Sequence, residues 1–358
     1  MDREALLLMR WKNKPPGSNW GEFGPDDQRG RMNYVTREKV LQGVAEVKEG
    51  RSFCLSLPLD YPGGSVLNPR RKPPRIAPTL RDSGKNAGAQ NFCYALDADN
   101  PDLTDVVCDD VVLLTLQYST QWDSFAHIGS RFDADGDGKA EIVFYNGFRA
   151  GEHVVPSSQS GSSEPWAKYE GSEAKALGIE RLAEHGVQGR GVLIDLHAHF
   201  GRERRAVTYD DLQRILEKDK VEVEKGDMVC LYTGFGDVIL ELKKNADPKL
   251  LHGTCSGLDG RDDRLLQWIS DSGLACLIAD NYAVELIPSS IFKPKPHASM
   301  PLHEHCLFKN GIHLGEMWYL TELARWLRGH GRSRFLLTAP PLRLPGAVGS
   351  PATPVATV

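Results

Sequence analysis

Gly189-Arg190-Gly191-Val192-Leu193-Ile194-Asp195-Leu196, then a helical pattern from Tyr209 to Lys218, then Met228-Val229-Cys230-Leu231-Tyr232: the fold is read from this stretch. Short apolar or β-branched runs bounded by Gly, Asp or Arg read as buried strands. Strands that alternate with helices argue an α/β architecture. Working outward, Val111 to Leu116 and Leu274 to Ala279 read as further buried strands. Ser172 to His185, Arg264 to Asp271 and Thr321 to Arg328 carry helical patterns.

Upstream, residues 1 to 100 are rich in Gly, Pro and Arg. A helix is expected near Thr36 to Glu49, where Lys39 takes the place of the acidic partner of a full capping box. A short strand is expected at Phe53 to Leu57. Pro58 to Arg81 carries six prolines and few apolar residues, the composition of a long excursion. Downstream, Phe335 to Leu337 and Leu342 to Leu344 are apolar enough to dock, so the segment from Arg334 is expected to be ordered despite its prolines.

The 358 residues allow one large domain or two ordinary ones. With 41 % hydrophobic and 25 % charged residues, the chain can bury a sizeable core. The formal net charge of -5, with no basic run longer than Arg70-Arg71-Lys72, excludes a nucleic-acid footprint. No window approaches ~18 uninterrupted apolar residues, so no membrane partner is expected. The apolar stretch Ala5 to Met9 is too short for a signal-peptide core. Seven scattered cysteines without a CxxC fit reduced thiols in the cytoplasm, each read as a small buried hydrophobe.

Chemistry concentrates in Gln117-Tyr118-Ser119-Thr120-Gln121-Trp122-Asp123-Ser124-Phe125-Ala126-His127, where an apolar run feeds into polar groups. Asp123 and His127 are four apart, so a helical turn would set a carboxylate and an imidazole on one face, a pairing that suits a divalent cation. The same spacing also fits a capping aspartate and a hydrogen-bonded core histidine. A second cluster, His303, His305, His313 and Glu316, lies among apolar residues. Buried carboxylates and imidazoles need partners, and a metal serves both.

The segment Gln117 to His127 resembles a divergent form of the H-x-G-T-H-x-D-x-P-x-H signature of the metal-dependent cyclase-like hydrolases, which include kynurenine formamidases, isatin hydrolases and trans-dienelactone hydrolases. Trp20-Gly21 with Asp26-Asp27 is similar to the family's opening. Gly189 to Asp195, Gly226-Asp227, Thr233-Gly234 and Ala279-Asp280-Asn281 with Glu285 resemble its central blocks, and Pro340 to Arg343 its close. The resemblance implies a single swivelling β/β/α domain over residues 20–350, with 1–19 an arm and 351–358 a tail. It also implies pairing into a homodimer or homotetramer, for which Pro58 to Arg81 is the candidate element.

By the same resemblance, Asp123, His127, His303 and Glu316 fall on metal-site positions, with Mn²⁺ or Zn²⁺ as the cofactor. Gln117 and Gln121 stand where the signature has histidines, which implies that one of two metal positions is lost or altered. Gln121 is expected at the ion or its water, and Gln117 further back. A cation held by Asp123, His303 and Glu316 would lower the pKa of water toward ~7 and polarise a carbonyl. His127, if not itself a ligand, would then act as general acid and base. The implied substrate is a small neutral amide, imide or lactone, with Gln117, Trp122, Phe125 and Trp318 as lining residues, although core packing is the expected job of at least two of the aromatic rings.

Three other patterns compete. Asp133-Ala134-Asp135-Gly136-Asp137-Gly138 opens like a calcium loop, but Phe144 occupies position 12, where a bidentate Glu belongs. His197-Ala198-His199 resembles the strand-end pair of zinc amidohydrolases. A protein that binds metal or ligand without catalysis is the third alternative.

Overall fold

A computed structural model describes residues 9–157, 171–288 and 296–358. Nine strands form the main sheet, numbered here in chain order: β1 Ser52–Cys54, β2 Gln121–Asp123, β3 Gln188–Asp195, β4 Met228–Tyr232, β5 Cys276–Ala279, β6 His313–Glu316, β7 Arg334–Thr338, β8 Gly349–Pro351 and β9 Val355–Thr357. Their spatial order is β1-β9-β7-β3-β4-β5-β6-β2-β8. The central four run parallel, and the flanking strands pair antiparallel.

The two-residue period of the strands divides the core into two layers. Val192, Ile194, Val229, Leu231, Leu277 and Leu314 face one layer, closed by Leu212 and Ile215 of α2 (Tyr209–Asp219) and Leu265 and Ile269 of α3 (Asp263–Asp271). Leu193, Met228, Cys230, Cys276 and Ile278 face the other, with Leu323, Ala324 and Leu327 of α4 (Thr321–Gly329). A capping box between Thr208 and Asp211 starts α2, and Asp262 caps α3 through the N–H groups of Arg264 and Leu265. The first helix, α1 (Arg37–Ala45), is capped by Thr36 and packs across β3.

Several expected elements differ. Val111 to Leu116 does not join the core: Asp110–Leu113 pairs with Arg75–Pro78 in an exposed two-stranded ribbon, and Val111 is 53 % exposed. An apolar run alone cannot distinguish such a ribbon from a buried strand. The expected helix Ser172 to His185 shrinks to Glu180–Ala183, because Glu173–Ala174 pairs with Val154–Val155 and Leu177 adopts a positive φ. Residues 351–358, expected as a tail, instead supply β9 inside the sheet, and Val358 is fully buried. Of the expected arm, residues 1–8, and with them most of Ala5 to Met9, lie outside the described residues. The remainder docks, with Trp11 edge-on to Trp20 and Lys12 N–H on the Ala134 carbonyl. Cys54, Cys93 and Cys108 are exposed rather than buried. No helix among the described residues is long and apolar enough to cross a membrane.

Candidate metal centre

Strand β2 lies between β6 and β8, so Gln121 sits opposite Glu316, and Asp123 opposite Leu314 and Gly349. Directly paired residues share a face, which places Gln121, Asp123 and Glu316 on one side and Trp122 on the other. His303 arrives from a short helical turn, Pro301–His303, at the end of a separate segment. Ligand atoms of Asp123, His303 and Glu316 all fall within 4.8 Å of one another.

A hydrogen-bond network holds them. His303 Nε2 is 3.0 Å from Glu316 Oε1, and its Nδ1 is 2.8 Å from Glu285 Oε1. Glu285 also accepts the main-chain N–H groups of Leu302 and His303. The Gln121 amide donates to Asp123 Oδ1 at 3.1 Å and to Glu316 Oε2 at 3.2 Å. His127 Nε2 stands 3.9 Å from Asp123 Oδ1. Its side chain is 19 % exposed, against 0 % for Asp123, 1 % for His303 and 3 % for Glu316, so His127 is the group of this set that solvent reaches.

The electrostatics follow from burial. Desolvation raises the Asp123 carboxyl above its ordinary range, helped by Glu316 and opposed by His127, His303 and Arg71. Burial works against charge on His303 as well, but the hydrogen bonds to Glu285 and Glu316 outweigh it and push the imidazole up to about 10. Burial likewise penalises Glu316, yet the His303 bond holds its carboxyl below the usual value.

Two buried oxygens, Asp123 Oδ2 and Gln121 Oε1, have no hydrogen-bond partner among the described residues. Orphaned acceptors are rare in native interiors. Two unpaired oxygens beside a carboxylate–imidazole–carboxylate cluster are the donor set a divalent cation fits, with mixed oxygen and nitrogen ligands. Asp123, His303 and Glu316 would hold it, and Gln121 presents its amide nitrogen to both carboxylates.

Other sequence candidates are placed elsewhere. Trp122 and Trp318 pack edge to face at 5.1 Å, both fully buried, with their indole N–H groups on the carbonyls of Ala339 and Gln121. Phe125, also fully buried, stacks on His313 at 3.9 Å. All three are core residues rather than pocket lining. The Gln117 amide lies against β8, where a Cβ at Gly349 would collide with it. His197 contacts the Tyr232 ring and His199 Nε2 is 2.7 Å from Asp219, so the pair does not converge on one point. The Asp133 to Gly138 segment is the turn of a hairpin between Ser130–Phe132 and Glu141–Val143. Asp133, Asp135 and Glu141 converge there, with Asp133 and Glu141 accepting main-chain N–H groups of the turn.

Two residues outside the sequence candidates join the site. Glu285, which the resemblance marks only as part of a block, fixes the His303 ring. Arg71 comes from the excursion, donates to the Gln117 carbonyl at 2.8 Å, and bears electrostatically on both Asp123 and Glu316.

The fold and this centre define an α/β protein with a buried carboxylate–imidazole site at the end of a mixed sheet. The Cyclase family model matches residues 55–286, and the chain belongs to that family. A solved structure described as a novel cyclase is 29 % identical, with a TM-score of 0.70 over 97 % of this chain and 100 % of that one. Isatin hydrolase A from Ralstonia solanacearum is 14 % identical, with a TM-score of 0.51 over 90 % of this chain and 97 % of that one. Isatin hydrolase A from Labrenzia aggregata, bound to benzyl benzoate, is similar at 14 % identity and a TM-score of 0.51 over 89 % of this chain and 97 % of that one. Both likenesses carry the fold. No curated protein matches.

Proposed function

We propose that this protein is a metal-dependent hydrolase that opens a small cyclic or aromatic amide, imide or lactone, with Mn²⁺ or Zn²⁺ on Asp123, His303 and Glu316. The observation that carries the reading is the convergence of those three ligands beside the partly exposed His127. The cation supplies Lewis acidity toward a carbonyl and a nucleophile available at neutral pH. His127 takes the proton from the attacking water and returns it to the leaving nitrogen or oxygen. Glu285 keeps the His303 ring in register, and Gln121, in the place of a histidine, presents its amide nitrogen to both carboxylates.

Ring opening or acyl cleavage releases a carboxylate, and Arg71 supplies the cation that no neighbour in sequence provides. It lines a narrow cleft with Asn68, Tyr118, Tyr282 and Met317, the residue after Glu316. A guanidinium there orients the developing carboxylate. The ribbon that follows Arg71, Arg75–Pro78 with Asp110–Leu113, exposes Ile76, Val111 and Val112. That exposed apolar edge supports pairing with a second copy. Sedimentation showing only a 39.6 kDa species would remove that pairing.

The test of the function is hydrolysis of aryl formamides, small lactones and cyclic imides by metal-stripped protein, with and without added Mn²⁺ or Zn²⁺. Turnover that appears with metal and disappears in Asp123→Ala supports the reading. Stoichiometric metal binding without turnover of any substrate would leave a binding protein instead.

A further inference from the structure

The segment that follows the excursion carries a second reactive feature, outside the candidate metal cluster. Tyr94 pairs with Val107 and Ala95 with Val106 in antiparallel register, and Cys93, at a positive φ of 51°, and Cys108 stand just beyond the end of that ladder. The two Sγ atoms are 3.8 Å apart, and the Cys93 main-chain N–H reaches Cys108 Sγ at 3.0 Å. On the other side of the pair, the Asp109 N–H donates to the Asn91 carbonyl at 2.7 Å, so main-chain bonds flank the thiols on both sides. Both cysteines are exposed, whereas Cys230, Cys255, Cys276 and Cys306 are buried. Neither belongs to a metal-ligand cluster among the described residues.

We propose that Cys93 and Cys108 are a dithiol that closes reversibly to an intramolecular disulfide and staples the hairpin of Tyr94–Ala95 and Val106–Val107. A disulfide needs Sγ atoms about 2.05 Å apart, and this pair starts from 3.8 Å. Side-chain rotation then closes the gap without moving the ladder. The co-reactant is a small-molecule disulfide such as glutathione disulfide. One cysteine thiolate attacks it and expels a glutathione thiolate, and the second cysteine thiolate attacks the protein sulfur of that mixed disulfide and expels the other. Two protein thiols are oxidised, one small disulfide is reduced by two electrons, and the two protons end on the two glutathione thiols.

The experiment uses the full-length protein, reduced and then equilibrated in glutathione buffers of graded oxidised-to-reduced ratio. Native alkylation and peptide mapping follow. Reduced protein should present three reactive thiols, Cys54, Cys93 and Cys108. Oxidised protein should present Cys54 alone, with a Cys93–Cys108 cross-linked peptide and no retained glutathione. Closing a loop of this length should slow amide exchange of Tyr94 and Val107 on the order of 100-fold. In Cys108→Ser, Cys93 should instead hold glutathione as a mixed disulfide. Separate glutathionylation of both cysteines in the wild-type protein, or two free thiols in the most oxidising buffer, would overturn the proposal.

Discussion

Glu285 Oε1 accepts the main-chain N–H of His303 at 3.0 Å and lies 2.8 Å from that residue's ring Nδ1. One oxygen thus fixes both the backbone and the imidazole of a metal-site residue, leaving Nε2 aimed at Glu316. Outer partners of this kind set ring orientation and basicity. Glu285→Gln should weaken divalent-metal affinity about 10–100-fold while circular dichroism stays native. Competition titration against a chromophoric chelator measures this, and an unchanged affinity would remove Glu285 from the site.

The metal-free imidazole of His303 is pushed up to about 10 by Glu285 and Glu316, so it carries a proton at pH 7 that a metal must displace. Its pKa is raised on folding, so the stability it contributes is full below ~6.5 and is lost as pH rises through about 10. Metal affinity runs the opposite way and should climb with pH across that interval, with about one proton released per ion bound near pH 7. Calorimetry in buffers of different ionisation enthalpy counts the proton. Uptake without proton release would show His303 neutral before binding.

Trp122 and Trp318 fill the layer beneath the sheet rather than a substrate pocket. Trp122→Ala should cost about 3–5 kcal/mol by denaturant unfolding. Trp318→Phe should lower stability while leaving KM of the folded fraction unchanged, because neither ring reaches solvent. A selective rise in KM would restore a substrate role.

Helix α4 and strands β3 to β5 were legible because each shows a clear helical pattern or a continuous apolar run with a defined boundary. Residue type left Asp123, His127, His303 and Glu316 open and the resemblance singled them out, and the structure brings Asp123, His303 and Glu316 close together with His127 beside Asp123. The core position of Trp122 was legible too, since strand alternation sends it away from Gln121 and Asp123. Glu285 and Arg71 were beyond reach. A carboxylate 18 residues from the histidine it orients, and a guanidinium folded in from an excursion, leave no local periodic trace.

Asp123 and His127 differ in burial, and that difference separates their roles. Desolvation and Glu316 raise the Asp123 carboxyl, so its contribution to metal-free stability is full below ~3.8 and is lost as pH rises through the raised value. Asp123→Asn removes that buried charge and should leave the metal-free protein at least as stable as wild type at pH 7. The thermal shift that Mn²⁺ or Zn²⁺ gives wild type should vanish in the variant, because the ligand is gone. His127, partly open to solvent, should behave oppositely. His127→Asn should keep the metal-induced thermal shift while kcat falls by about 10²–10⁴, the loss of a general acid–base group. Loss of the shift in His127→Asn would make the imidazole a ligand. An unaffected rate with metal bound would require a different proton carrier beside Asp123.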